Sequence, residues 1–207
     1  MQYFDIILFA IVAGVLAIRL YRVIGKKTDF SLQKGRATKN NSLKSGEKEV
    51  LDKQDSHKTG EGLGFLKKIY PNFDERSFLL GAEEAFSLII KAFNCDDKKS
   101  LRALLDDNVY VAFEKGILDR EKKGLFVERP ITLNILEAKI KSAKVVKGIA
   151  FVKVSFVSDQ VITIKDMDTD SIINNSDASK KKSDVWEFSK DITANDPNWK
   201  LTYTESG

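Results

Sequence analysis

The chain has 207 residues, 34 of them basic and 30 acidic, for a formal net charge of +4; this length holds one ordinary domain with extensions, not two complete ones. Hydrophobic residues at 43% and aromatics at 10% exclude a wholly disordered chain, and 3 prolines exclude a Pro-rich or collagen-like one. One cysteine and one histidine exclude a disulfide framework and multi-Cys or His-rich metal sites, and they disfavour Ser-His-Asp or Cys-His chemistry.

Residues 6–18 form an uncharged run of 13 residues, a length that by itself suits a signal-peptide core. Its flanks point instead to an anchor. No lysine or arginine precedes it, Arg19 and Arg22 follow it, and no small-x-small cleavage pattern is present. A helix over 3–24 would measure roughly 33 Å, enough to span the hydrocarbon. Phe4, Ile6, Phe9 and Leu16 would face lipid. Tyr3 and Tyr21 would lie at the interfaces, and Arg19 and Arg22 would snorkel to the headgroups. Residues 19–48 carry 9 basic and 2 acidic residues. By the positive-inside rule, everything after Arg19 then lies on the cytoplasmic side, as a single-pass inner-membrane protein. A cleaved signal or a core helix is the alternative.

Residues 26–61 are polar and show no sustained apolar period, so they are expected to be a flexible linker. Lys26, Lys27, Lys34 and Arg36 lie close behind the anchor, where anionic lipid would attract them. Nucleic-acid binding is the rival use, but no aromatic residue follows Phe30 in this stretch to stack on bases, and no specific nucleic-acid partner is expected. His57 reads as a surface side chain. The glycines at 60, 62 and 64 follow no strand and precede no Gly-Lys-Ser/Thr, so they mark a hinge rather than a nucleotide site.

The domain is expected over 62–207. Phe78, Leu79, Ala82, Ala85, Phe86, Ile89, Ile90 and Phe93 recur at helical spacing and predict a helix over 75–94, capped by Asp74. Leu101, Leu104 and Leu105 suggest a second helix. Val109, Phe113, Ile117 and Leu118 suggest a third, ending near Gly124. After Pro130 the period becomes two. Strands are predicted over 133–145, 149–157, 161–165, 184–192 and 199–204, with a polar hairpin loop over 166–183. Helices first and antiparallel strands after them give an α+β fold, the helices packed on one side of a curved sheet.

Several of these stretches are distinctive together: FLLGAEEAFSLIIKAFNCDDKKSLRALL, ILDREKKG, VWEFSKDI and DPNWKLTYT. Over about 65–204 the chain resembles the carboxy-terminal domain family of the mitochondrial inner-membrane translocase subunit Tim44, and the anchor and basic linker resemble the membrane-anchored bacterial members. The matching positions include Phe78, Gly81, Ala82, Ala85, Phe86, Phe93, Leu101, Leu104, Leu105, Trp186, Phe188, Asp196, Pro197, Trp199 and Leu201. Cys95-Asp96 stands where Gly-Asp is expected, which should alter a turn and not the fold. The resemblance implies a cone similar to nuclear transport factor 2, helices cradled by a bent sheet around a concave apolar pocket. It further implies membrane recruitment and binding of membrane or translocating proteins, or of lipid, rather than catalysis. Of the candidate pocket residues, Trp186 and Trp199 read as core aromatics first. Gly81-Ala82 read as a close-packing pair, with room for a ligand as the alternative.

No chemistry competes well with binding. Asp166, Asp168 and Asp170 have calcium-loop spacing, but Ser171 replaces the glycine and the final glutamate is absent. The pairs Glu83–Glu84, Asp96–Asp97 and Asp106–Asp107 are sequence neighbours whose side chains diverge on a helix. Tyr110 and Tyr203 could serve an isomerase-like site on such a cone, yet no aspartate is marked as their partner. No catalytic residue, metal site or cofactor is expected.

Overall fold

The computed structural model describes residues 59–175 and 181–206. The anchor positions from Tyr3 to Arg22 and the basic positions Lys26, Lys27, Lys34 and Arg36 lie outside the described residues. Among those that are described, no helix is long and apolar enough to cross a membrane.

The described chain opens with strand β1 (Gly60–Glu61) and helix α1 (Leu63–Ile69). They contain or flank the glycines that the sequence marked as a hinge. The glycines have structural reasons here. A Cβ on Gly60 would meet the Phe65 ring at 2.6 Å, and Gly62 holds φ of 93° at the start of α1.

Helix α2 (Glu75–Asn94) has the bounds its apolar period predicts. The Asp74 carboxylate caps it by accepting from Ser77 N at 2.8 Å. Phe73, just before the cap, packs on Phe78 with ring centroids 5.4 Å apart, a hydrophobic staple that fixes the entry angle of the chain. Helices α3 (Lys98–Leu104) and α4 (Asp107–Lys122) are capped in the same way by Asp97 and Asp106. Two of the adjacent carboxylate pairs thus contribute helix caps.

The main antiparallel sheet is ordered β1-β3-β4-β7-β8, with β3 (Thr132–Val146), β4 (Ile149–Val161), β7 (Lys182–Asp191) and β8 (Lys200–Ser206). Lys147 and Gly148 join β3 to β4 at φ of 50° and 79°, the geometry of a two-residue hairpin turn whose twist suits the strands. Register shifts in β3, between Ile135 and Glu137 and between Ile140 and Ser142, and one in the β7–β8 pairing bend the sheet. A second sheet is ordered β2-β5-β6, formed by β2 (Leu125–Val127), β5 (Thr163–Asp166) and β6 (Ile172–Asn175). The expected loop over 166–183 therefore contains a strand. Its exposed Ile172 and Ile173 form no period-two pattern because β6 lies at a sheet edge.

The core lies between α2 and the inner face of the main sheet. Along β4, Val152, Val154 and Phe156 point inward and are fully buried, while Phe151, Lys153 and Ser155 point outward. Phe86 stacks on Phe156 with centroids 4.4 Å apart and meets Trp186 at 4.5 Å. Large aromatic groups buried in this way supply much of the apolar area that offsets chain entropy. Arg120 of α4 ties down the far end of α2. It donates to Phe93 O at 2.7 Å, pairs with Asp96 and lies over the Phe93 ring.

Candidate functional site

A half-open cavity of about 510 Å³ lies beside the amino-terminal half of α2. That helix supplies one wall through Phe78, Gly81, Ala82, Ala85 and Leu88, and the turn after α1 adds Tyr70 and Phe73. Phe188 and Lys190 come from β7, and Trp199 comes from the chain just before β8.

The aromatic wall is a connected cluster. Trp199 meets Phe78 edge-on at 4.9 Å and Phe73 at 6.0 Å, and Phe78 meets Phe188 at 6.2 Å. These offset and edge contacts are the favoured geometries for aromatic rings and hold the wall in one shape. Leu88, at 46% exposure, marks the mouth, and Leu80 on the same helix is 60% exposed.

Gly81 lines the cavity without a side chain. It is exposed on α2, and a Cβ built there meets nothing within 4 Å. Close packing of a neighbouring element is thus not its role, contrary to the sequence expectation. Ala82, one residue on, is buried and does pack.

The one cation in the wall is Lys190. Inward-pointing residues of β7 alternate as Asp184, Trp186, Phe188 and Lys190, so the lysine falls on the apolar face and is only 9% exposed. Its Nζ donates to Pro197 O at 3.1 Å and lies 5.3 Å from the centre of the Tyr70 ring. No carboxylate among the described residues forms an ion pair with it. The acidic groups of the wall are Asp74 and Glu84. Hydrogen bonds from Ser77 keep the Asp74 carboxyl below its usual range.

Of the eight candidate pocket residues, Phe78, Gly81, Ala82, Phe188 and Trp199 come together here. The other three do not. Phe86 and Trp186 belong to the buried cluster around Phe156, and Phe93 packs against Phe113 at 5.2 Å. Helical spacing put Phe78, Phe86 and Phe93 on one broad face. Only the part of that face left uncovered by the sheet lines a cavity. Sequence reasoning missed Tyr70, Phe73 and Lys190. The staple pattern of Phe73 around Asp74 and the alternation Trp186–Phe188–Lys190 were the available signals.

The arrangements considered for chemistry have other work. Asp166 accepts from Asp168 N, Thr169 N and Thr169 Oγ1 at 3.0, 2.9 and 3.0 Å, which closes a turn. Those bonds hold its carboxyl below the usual range. Lys165 spans Glu128 at 2.6 Å and Asp170 at 3.5 Å. Among the described residues no group of His, Cys, Asp and Glu is placed to hold a metal ion. The Tyr110 hydroxyl donates to Glu114 and that of Tyr203 to Glu205, and neither tyrosine lines the cavity. Cys95 caps the end of α2, and Asp96 after it takes φ of 58°. The departure at this pair thus sits in a turn.

The structure is thus an α+β domain with a half-open, largely apolar cavity. The Tim44-like domain family matches residues 59–206, and the chain belongs to that family. Membership implies a binding or tethering module. No curated protein matches the chain in sequence. Among solved structures it is similar to the intermembrane-space region of the chloroplast protein ARC6, at 18% identity and a TM-score of 0.42, over 66% of this chain and 98% of that one.

Proposed function

We propose that the protein is a membrane-anchored tether whose Tim44-like domain recruits proteins or lipids at the inner face of a membrane. Its work there would be tied to protein translocation or membrane-protein assembly. Residues 3–24 would be the single span and residues 26–61 the basic linker. The domain would lie on the cytoplasmic side as a cone around its apolar cavity. The observation that carries the proposal is the cavity itself, a preformed apolar site in a member of a binding family.

The register of the sheet supports a link between tether and site. Gly60 pairs with Val145, Val145 with Ala150, and Ala150 with Lys190. These four residues form one row across the sheet, so the point where residue 60 enters the fold lies roughly 14 Å from the backbone of Lys190. Lys190 of the cavity wall therefore lies in the same row of the sheet as the residue at which the chain enters the fold. The exposed Leu80 and Leu88 add apolar surface on the helix that forms the cavity mouth.

Two experiments test the proposal. Deleting residues 1–25 should move the protein to the soluble fraction, and pelleting that survives high salt refutes the anchor. Photo-crosslinkers at Leu88 and Asn198 in intact cells should yield adducts to membrane or secreted precursors, or to a translocase. Adducts to lipid alone favour a lipid- or small-molecule-binding cone with no protein client. That second reading draws on the apolar character of the cavity wall.

A further inference from the structure

We infer that strand β6 is the docking edge for a segment of the chain's own basic linker, residues 30–36, which adds to it as an antiparallel strand. The docking goes beyond the function proposed above and does not depend on what the cavity binds.

The edge is open and unguarded. β6 closes one side of the second sheet, and among the described residues its backbone meets no partner on the side away from β5. Ile172 and Ile173 are more than half exposed, as is Met167 in the turn before them. A register shift leaves Ile173 without a partner on β5. The other sheet edges carry the protection that edge strands usually have. Beyond its short pairing with β1, β3 has Lys139, Lys141 and two register shifts. β2 is three residues long and is soon followed by Pro130. β8 is met by Asp106 N, which donates to Leu201 O at 2.9 Å. The β6 sequence Ile172-Ile173-Asn174-Asn175 has neither a charge nor a proline. An exposed apolar edge of this kind is a template for a further strand.

Charge selects the occupant. The turn that leads into β6 carries Asp166, Asp168 and Asp170, the last two exposed, and Lys165 beside it is divided between Glu128 and Asp170. This acidity opposes docking on an anionic lipid surface and favours basic residues next to the apolar contact. In the linker, Phe30, Leu32, Lys34 and Arg36 fall at alternate positions, which a strand places on one face. Run antiparallel to β6, this segment sets Phe30 and Leu32 against Ile172 and Ile173 and carries Lys34 and Arg36 to Asp170 and Asp168. The linker's apolar pair Val50-Leu51 is flanked by Glu49 and Asp52, which the acidic turn repels.

Reach and affinity favour the chain's own segment over a separate peptide. Fully extended, the residues between Arg36 and Gly60 span roughly 80 Å, against roughly 40 Å across a domain of this size. The segment therefore reaches β6. A ladder of four residues binds a free peptide weakly, whereas a segment on the same chain is held at a local concentration on the order of 1 mM. With the anchor proposed above, docking shortens the tether to the residues between Ile24 and Phe30, and release lengthens it to all of 25–59. The docking itself stands without that consequence.

The test uses the full-length chain in phosphatidylcholine nanodiscs, with hydrogen exchange read by mass spectrometry over residues 168–175. Exchange in β6 should be at least ten-fold slower in the native chain than in the double variant Phe30→Ser, Leu32→Ser. Both substitutions lie outside the folded domain, so exchange in β4 and β7 should not change. Lys34→Glu with Arg36→Glu should remove the same protection. A second readout places Leu32→Cys and Ile173→Cys in a Cys95→Ser background, oxidised with copper phenanthroline. A disulfide within one chain is expected. Equal exchange in the native chain and the double variant overturns the inference. Slow exchange that survives Phe30→Ser, Leu32→Ser gives the edge to a different occupant and also overturns it. A disulfide formed only between chains overturns the assignment to the chain's own linker, and no disulfide at all overturns the docking.

Discussion

Replacing Gly81 with alanine separates a packing glycine from a cavity glycine through the sign of a stability change. Gly81 lies in the interior of α2, well after its cap Asp74 and well before Asn94. A glycine there weakens the helix, because the unfolded chain has more backbone freedom to lose. The added methyl meets nothing within 4 Å, so no clash opposes the gain in helix propensity. The variant should be more stable by about 1 kcal/mol, which for a domain of this size is a rise in Tm of roughly 3 °C. The chain contains two tryptophans, Trp186 and Trp199, and both lie in the folded domain. Tryptophan emission in a urea titration of the full-length protein in nanodiscs therefore reports this unit. Destabilisation by Gly81→Ala would mean that a neighbouring element does press on this position, and the open space beside it would be refuted.

Three further outcomes follow from the same structure. Arg120→Met removes the donor to Phe93 O and the partner of Asp96 at the carboxyl end of α2. It should cost about 2–4 kcal/mol, measured as a shift in urea midpoint at constant slope. Asp74→Ala removes the cap of α2 and should cost about 1 kcal/mol; an unchanged midpoint would show that the Phe73–Phe78 staple alone fixes this helix end. Asp184 is 8% exposed, burial pushes its carboxyl above the usual range, and the Ser206 hydroxyl bond to it at 2.8 Å opposes the push only in part. A carboxyl raised in the folded state favours folding while protonated, and that advantage is lost as pH rises through its folded-state pKa. Asp184→Asn should therefore gain stability relative to the native protein as pH climbs from below 4 toward neutrality, where 3.8 is the unperturbed value. A difference between the two that stays constant with pH would rule out the buried charge as its cause.

The sequence by itself determined the elements whose signals are local. The period of Phe78, Ala82, Phe86 and Ile89 with Asp74 ahead of it defined α2 to its observed bounds, and alternation along 149–157 defined most of β4. Both follow from side-chain geometry that repeats within a few residues. The family resemblance covered the folded region for the same reason, since its motifs are short and ordered along the chain. Short elements escaped notice. β1 and β6 carry no period of their own, and β1 exists because β3 offers it partners at Lys144 and Val145. Tertiary structure alone decided which aromatic residues of one continuous face became core and which became cavity wall. Phe86 and Phe78 are two turns apart on α2 and alike in sequence character. The sheet covers Phe86 through Phe156 and Trp186, and near Phe78 the cover ends at Phe188 and Trp199. Likewise, Lys190 belongs to the site because β7 turns it inward and Pro197 meets it from a different segment. Burial against distant segments is a property of the assembled chain, and no local pattern encodes where that cover stops.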